Sequence, residues 1–311
     1  MILTITPNPS LDISYALEDF ALDEVNRVKK VSKTAGGKGL NVARVARLLG
    51  AEVVATGFLG GQLGEWMVED LERSGVRPLF AKTAGDVRNC ISILHRGKQT
   101  EILEEGPLLS AKDEEAFFDL LRGMQEKPNL VTISGSLPRG LGIDFYAKVV
   151  RFFDERGIRV VADTSGATFA EMMESDLLPY AIKPNEKELE DFLGRKYELK
   201  ELPQLMEKSP FGKIPLLLVS LGDRGALARR EGRWYRIEIP TITPVNPVGS
   251  GDATVAGLAF ALERRLETEE VFKTAMACGV LNALEQATGM IDKTKFDDVY
   301  RKIIVERMEI R

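Results

Sequence analysis

The chain has 311 residues, of which 44% are hydrophobic and 29% charged, and it carries a formal net charge of −5. These proportions are typical of a globular protein with one large domain, or with a main domain and a small appendage. The negative charge gives no reason to expect nucleic acid or an anionic membrane as a partner, so an anionic substrate would have to be held by local basic residues.

Strand-like and helix-like segments alternate through most of the chain. Apolar runs rich in β-formers occupy residues 1–6, 53–58, 130–134, 160–163 and 216–220. Helical patterns occupy residues 40–49, 63–73, 113–125, 145–155 and 186–193, and one helix is expected to follow another from residue 252 to about residue 305. Apolar strands that alternate with helices predict a parallel sheet covered on both faces.

Two segments, residues 13–32 and 88–103, depart from this pattern because apolar and polar side chains alternate along them. They predict a small antiparallel sheet with one exposed face. We therefore expect a single domain over residues 1–311 that carries this sheet as a lid or a dimer surface.

Several classes of protein are disfavoured. His95 is the only histidine, which nearly excludes a Ser-His-Asp triad or a histidine-rich zinc site, and it is predicted to be an ordinary strand residue. Cys90 and Cys278 lack zinc-ligand spacing and fit a reducing cytoplasm. Residues 1–7 are expected to be a strand broken by proline rather than a signal peptide, and no apolar run is long enough to span a bilayer.

Residues 246–252, with the sequence NPVGSGD, precede an apolar helical stretch. Gly249 and Gly251 allow backbone N–H groups to approach an anion, and the start of a helix adds unpaired N–H groups. Asp252 would place a base beside that anion, an arrangement that suits phosphoryl transfer to a hydroxyl. The alternative is an ordinary loop-to-helix junction in which Asp is the N-cap.

Residues 35–43, with the sequence AGGKGLNVA, place Lys38 among three glycines and Asn41 on the first turn of a helix. This segment is either an anion cradle or a glycine-rich turn with a solvated lysine. It fits neither the Walker A spacing nor the dinucleotide-binding GxGxxG pattern.

Other candidates are weaker. Asp12 follows the first strand and either binds sugar hydroxyls or closes an Asx turn. Arg88 and Arg27 are candidate phosphate clamps or plain surface arginines. Asn185 and Glu188 have the spacing of a capping box, and the same oxygens suit Mg²⁺ held through water.

Taken together, these motifs resemble those of the ribokinase (PfkB) family of carbohydrate kinases. Residues 36–41, followed by Ala43, Gly50 and Gly60, are similar to the family's N-terminal signature, and residues 246–259 are similar to its C-terminal signature. Residues 6–12, 88–90 and 134–138 and the lysine at position 38 resemble the branch that acts on sugar phosphates.

The resemblance implies a three-layer α/β/α body with a small β-sheet lid, and it allows a homodimer through the lids. It implies a base, Asp252, and an anion hole formed by Gly249, Ser250 and Gly251. It implies sugar contacts from Asp12, Gly37, Asn41 and Ser136, and contacts to the sugar's phosphate from Lys38, Arg88 and Arg27. Near ATP it implies Lys183, Ser220, Gly222, Gly225 and Asn282, and around Mg²⁺ it implies Asn185 and Glu188, through water.

The expected reaction is therefore ATP-dependent phosphorylation of a ketohexose phosphate, with tagatose 6-phosphate favoured and fructose 1-phosphate as the alternative. A phosphorylated acceptor would carry about −1.5 to −2 charges at neutral pH, by analogy with phosphorylated side chains. Lys38 gives this otherwise acidic chain a cation where such an acceptor needs one. An alternative of another class is a non-catalytic regulator that binds sugar phosphates or nucleotides.

Overall fold

The computed structural model describes residues 1–309, and its strands and helices alternate along most of the chain. The strands are β1 (Ile2–Thr6), β2 (Ser10–Leu17), β3 (Lys30–Gly36), β4 (Val53–Gly60), β5 (Arg77–Pro78), β6 (Ala81–Thr83), β7 (Arg88–His95), β8 (Lys98–Leu103), β9 (Leu130–Ser134), β10 (Arg159–Asp163), β11 (Ala181–Ile182), β12 (Leu216–Ser220), β13 (Ala226–Arg230), β14 (Arg233–Glu238) and β15 (Ile304–Met308). The helices are α1 (Lys38–Leu49), α2 (Gly61–Arg73), α3 (Ala111–Arg122), α4 (Phe145–Asp154), α5 (Gly166–Glu174), α6 (Glu186–Leu193), α7 (Leu202–Glu207), α8 (Ser250–Glu263), α9 (Thr268–Ala283) and α10 (Phe296–Lys302).

The larger sheet has the strand order β15-β14-β13-β12-β11-β10-β9-β1-β4-β5, and β6 also pairs with β4. From β12 to β5 its strands are parallel, as predicted. From β12 to β15 they are antiparallel, so the prediction of a wholly parallel sheet was wrong at this end. The prediction of successive helices is confirmed up to residue 302, but β15, which pairs with β14, was not predicted.

Helices cover both faces of this sheet. Successive side chains of a strand point to opposite faces, and they enter two separate hydrophobic cores. Ile2, Val161 and Leu216 pack in the core that α1, α2, α8 and α9 share. Their strand neighbours Leu3 and Val160 pack in the core formed with α3, α4, α5 and α6. The body is therefore a three-layer α/β/α structure.

A separate small sheet has the order β3-β2-β7-β8. The pairs β2–β3 and β7–β8 are antiparallel, but β2 and β7 are parallel, with Asp12 opposite Cys90. The prediction of a purely antiparallel sheet was therefore wrong. The two central strands, β2 and β7, enter the small sheet from the body in the same direction. Parallel neighbours need a long connection, and the segment from β3 to β6 provides it.

Short connections fix the small sheet against the body. Only residues 7–9 separate β1 from β2, and only Gly37 separates β3 from α1. The carboxyl end of β1, the base of the small sheet and the start of α1 therefore meet at one place. Within residues 1–309, no helix combines the length and the apolar character needed to cross a membrane.

Candidate active site

A cleft of about 1750 Å³ lies between the small sheet and the carboxyl ends of the body strands. In open α/β sheets this edge is the usual place for ligands. Most of the residues predicted from sequence line it, namely Asp12, Gly37, Lys38, Asn41, Arg88, Lys183, Asn185, Glu188, Ser220, Gly222, Gly225, Gly249, Ser250, Gly251 and Asp252.

The start of α8 forms one wall of the cleft. Its N-cap, Gly249, has a φ of 83° in the left-handed region, and a Cβ there would lie 2.4 Å from Thr288 Cγ2. Any other residue would therefore be strained and would clash. The Ser250 N–H donates to Pro247 O at 3.2 Å. The next N–H groups belong to the first helical turn, which has no intrahelical acceptors for them, so they suit a bound anion.

Asp252 lies in that first turn and is only 7% exposed. Its Oδ2 accepts a hydrogen bond of 2.8 Å from Asn41 Nδ2 of α1. Burial is the main cause that raises the pKa of Asp252 from 3.8 to about 7, and the Asp163 carboxylate adds to it. The Asn41 hydrogen bond, Lys38 and Lys183 act in the opposite direction. A carboxylate that titrates near neutral pH is suited to accept a proton.

Two lysines approach the same point. Lys183 Nζ lies 3.3 Å from Asp163 Oδ1, and both side chains are almost fully buried. A Cβ placed on Gly251 would lie 3.4 Å from Lys183 Nζ, so this ammonium faces the start of α8. Asp163, followed by Asp252 and Glu188, raises the pKa of Lys38, although burial lowers it. The ammonium of Lys38 therefore interacts electrostatically with the carboxylates around Asp252.

Asp12 lies at the base of the small sheet. Its Oδ1 accepts a hydrogen bond of 2.6 Å from Ser10 Oγ. Its carboxyl group occupies the space beside Gly36, where a Cβ would come within 1.9 Å of Asp12 Cγ. Burial raises the pKa of Asp12, while Ser10, Arg44 and other neighbours lower it. The glycine is therefore needed for this carboxyl group to face the cleft.

Arg88 is the first residue of β7 in the small sheet, and it lines the cleft. Its guanidinium donates to Glu104 O at 3.1 Å and to Asn8 O at 3.2 Å, and its buried Nε has no partner among residues 1–309. Ser136 Oγ accepts a hydrogen bond of 3.4 Å from Asn8 Nδ2, so Ser136 lies close to Arg88 through Asn8.

At the start of α6, Asn185 and Glu188 form a reciprocal capping box. Asn185 Oδ1 accepts from the Glu188 N–H, and Glu188 Oε2 accepts from the Asn185 N–H, both at 2.9 Å. The capping box, which is the alternative to a Mg²⁺ site, is thus formed. Both residues nevertheless line the cleft. The described residues contain no cluster of three or more His, Cys, Asp or Glu side chains that could hold a metal.

Two predicted residues occupy unexpected places. Arg27 is exposed in residues 18–29, between β2 and β3, and is not among the residues that line the cleft. Asn282 is fully buried in α9, where its Nδ2 donates to Val248 O and its Oδ1 accepts from the Gly289 N–H, both at 2.9 Å. Asn282 thus shapes the loop before α8 instead of facing the cleft.

The sequence reasoning missed two residues of the site, Asp163 and Arg44. Asp163 ends the buried strand β10, and that position alone was a usable signal. Arg44 lies three residues after Asn41 in α1, a spacing at which two side chains share one face. Because arginine is seldom buried, the sequence pattern gave no reason to place Arg44 inside.

The profile of the pfkB family of carbohydrate kinases matches residues 6–294. A tagatose-6-phosphate kinase from Staphylococcus epidermidis is 48% identical over 307 residues, which are 98% of this chain and 99% of the relative. The chain therefore belongs to the pfkB family of carbohydrate kinases, and it is a phosphotransferase.

Solved structures agree on the fold. A possible 1-phosphofructokinase from Thermotoga maritima has a TM-score of 0.90 at 27% identity, covering 99% of both chains. Phosphofructokinase-2 from Escherichia coli has a TM-score of 0.89 at 24% identity, covering 96% of this chain and 98% of that one. At the latter identity the likeness concerns the fold alone.

Replacing the Asp252 carboxylate by an amide should stabilise the protein at pH 8. Because folding raises the pKa of Asp252 from 3.8 to about 7, this group lowers stability as the pH rises through that interval. At about 1.4 kcal/mol per pKa unit, the full effect is at most about 4 kcal/mol. Thermal unfolding at pH 5 and pH 8 should show that Asp252→Asn gains more at pH 8. The exposed Asp154→Asn should show no such pH-dependent gain, and an Asp252→Asn variant less stable than wild type at pH 8 would contradict the account.

Proposed function

We propose that this protein transfers the γ-phosphoryl group of Mg-ATP to a hydroxyl of a ketohexose phosphate. The favoured acceptor is tagatose 6-phosphate, which would give tagatose 1,6-bisphosphate. The observation that carries the proposal is the buried Asp252 carboxylate beside the glycine-lined start of α8, with a pKa of about 7. The choice of tagatose 6-phosphate is supported by the name of the 48% identical relative.

In this proposal Asp252 accepts the proton of the acceptor hydroxyl. The hydroxyl oxygen forms the new bond to the γ-phosphorus as the bond from that phosphorus to the bridging oxygen of ADP breaks. Because the transition state is largely dissociative, the proton can leave late, and a carboxylate of moderate basicity is sufficient.

The anion hole for the transferred group would consist of Gly249, Ser250 and Gly251 at the start of α8. Lys183 faces Gly251, and Lys38 is coupled to Asp163 and Asp252. Fixed cations and N–H dipoles directed at the site of developing charge stabilise a transition state without reorganisation. We therefore assign Lys38 to the reacting end, a change from the expectation that it holds the acceptor's own phosphate.

The acceptor would lie between α1 and the small sheet. Asp12, Asn41 and the backbone of Gly37 would hold its hydroxyl groups. Arg88, whose Nε is buried without a partner among residues 1–309, would hold its phosphate, and Ser136, which accepts a hydrogen bond from Asn8, would contact the sugar. Arg27 is left out of this assignment because it lies outside the cleft.

The nucleotide would lie along the loops after β11 and β12, where Ser220, Gly222 and Gly225 line the cleft. Asp163 Oδ1 is buried and makes no hydrogen bond within residues 1–309, although Lys183 Nζ is near. Together with Glu188 it offers the hard oxygen atoms that suit Mg²⁺ held through water and ATP phosphates. The ion, when bound, would neutralise phosphate charge.

Fructose 1-phosphate is the second candidate acceptor, and the structural similarity to a possible 1-phosphofructokinase favours it. Nothing in the comparisons supports the non-catalytic regulator. A homodimer through the small sheet stays a prediction, for which the exposed Val31, Ile102 and Leu103 supply apolar surface.

Removing the base should abolish most of the turnover without abolishing nucleotide binding. General bases typically contribute about 10²–10⁴-fold to a rate, so kcat of Asp252→Asn should fall by that factor. Steady-state kinetics and calorimetric titration with Mg-ATP would measure the two quantities, with Asp154→Asn as the folded control. Turnover close to that of wild type would remove Asp252 from the role of base.

Removing Arg88 should weaken acceptor binding selectively. Hydrogen bonds to charged groups contribute about 1.5–3 kcal/mol, so Arg88→Ala should raise KM for the ketohexose phosphate by about 10-fold or more. The KM for ATP should change by less than about twofold, because the nucleotide loops lie at the other end of the cleft. The exposed Arg122→Ala serves as control, and an equal rise in both KM values would contradict the assignment.

A further inference from the structure

Arg44 is a buried arginine of α1 that is only 7% exposed, at the wall of the cleft beside Asn41. Its Nη2 donates to Asn41 Oδ1 at 2.6 Å, and Asn41 Nδ2 in turn donates to Asp252 Oδ2 at 2.8 Å. A continuous chain of hydrogen bonds therefore runs from the guanidinium of Arg44 to the carboxylate proposed as the base.

The donor and acceptor properties of the Arg44 guanidinium and the Asp252 carboxylate fix the direction of these hydrogen bonds. A guanidinium has only donors, so the Asn41 atom that meets Arg44 must be the amide oxygen. The Asn41 NH₂ group is then turned toward Asp252, where a carboxylate can accept from it. Without Arg44 the amide could rotate and present its oxygen to the carboxylate, which would be repulsive.

The Nη1 atom of Arg44, on the side away from Asn41, is also held by a hydrogen bond. It donates to Ala35 O, and the Ala35 N–H donates to Asp70 Oδ2 of α2 at 2.9 Å. Burial lowers the pKa of Arg44, whereas Asp12, Asp70 and Asp252 raise it. The buried guanidinium of Arg44 thus interacts with Asp12 on the acceptor side of the cleft and with Asp252 on the reacting side.

We propose that Arg44 is a positioning residue for phosphoryl transfer: through Asn41 it holds Asp252 Oδ2 and leaves Oδ1 for the acceptor's hydroxyl proton. This inference rests on the proposed function, since it concerns the same base. It assigns to Arg44 no contact with either substrate.

The test compares Arg44→Met, which keeps the length of the side chain but has no donor, with Arg44→Lys, which keeps a charge and donors. Residues in one hydrogen-bond network are energetically coupled, so we expect Arg44→Met to lower kcat by about tenfold, with KM for ATP within about twofold. The acid limb of the kcat profile should move to higher pH, because Asp252 loses a fixed donor. Arg44→Lys should recover much of both effects. The other charged groups that face Asp252, namely Asp163, Lys38 and Lys183, are unchanged in both variants.

A double-mutant cycle with Asn41→Ala separates positioning from a general effect on folding. If Arg44 acts through Asn41, Arg44→Met should cost less than about threefold in kcat when Asn41 is already alanine. An equal cost in both backgrounds would overturn the proposal, and so would an unchanged kcat and pH profile in folded Arg44→Met.

Two controls keep the outcome decisive. Circular dichroism establishes folding, and if Arg44→Met does not fold, Arg44→Leu, which also has no donor, replaces it in the same cycle. A ¹³C NMR titration of the Asp252 carboxyl carbon should show a higher pKa in the variant without any turnover, and no change would overturn the proposal. A wild-type protein that transfers no phosphate to any ketohexose phosphate would defeat the proposed function instead.

Discussion

The burial of the Asp252 carboxylate between α1 and α8 is the constraint on which the site depends. A buried charge is costly unless neighbouring groups stabilise it, and here burial outweighs those neighbours enough to raise the pKa to about 7. Asn41 donates to the carboxylate, and Lys38 and Lys183 offset its charge. At neutral pH the proposed base therefore populates both protonation states, and the side chains that set its pKa also line the cleft.

The cleft separates two kinds of positive charge. Lys183 forms an ion pair with Asp163, and Asp163 is the main cause that raises the pKa of Lys38, whereas Arg88 donates hydrogen bonds to the backbone of residues 8 and 104 near the small sheet. A phosphorylated acceptor needs a cation away from the reacting atoms, and a phosphoryl group in transfer needs cations beside them. The separation explains how a chain with a net charge of −5 can bind two anionic substrates.

Local patterns in the sequence were enough to predict many of the helices and strands. The predicted limits of the strands at 130–134 and 216–220 and of the helix at 186–193 are those of the structure, since length and apolar content determine them locally. The parallel pairing of β2 with β7 and the strand β15 depend on partners far along the chain, so no local pattern contained them. For the same reason the resemblance assigned Lys38 to the acceptor's own phosphate, since its electrostatic interaction with Asp163 and Asp252 depends on residues far along the chain.

The most direct test of this account is a comparison of kcat/KM for three acceptors, tagatose 6-phosphate, fructose 1-phosphate and fructose 6-phosphate, each with Mg-ATP and with the product identified by ³¹P NMR. The account predicts the highest value for tagatose 6-phosphate, with the new phosphate on its C1 oxygen. A higher value for fructose 1-phosphate would overturn the choice of acceptor. Turnover with none of the three would contradict the central claim that this site transfers phosphate to a ketohexose phosphate.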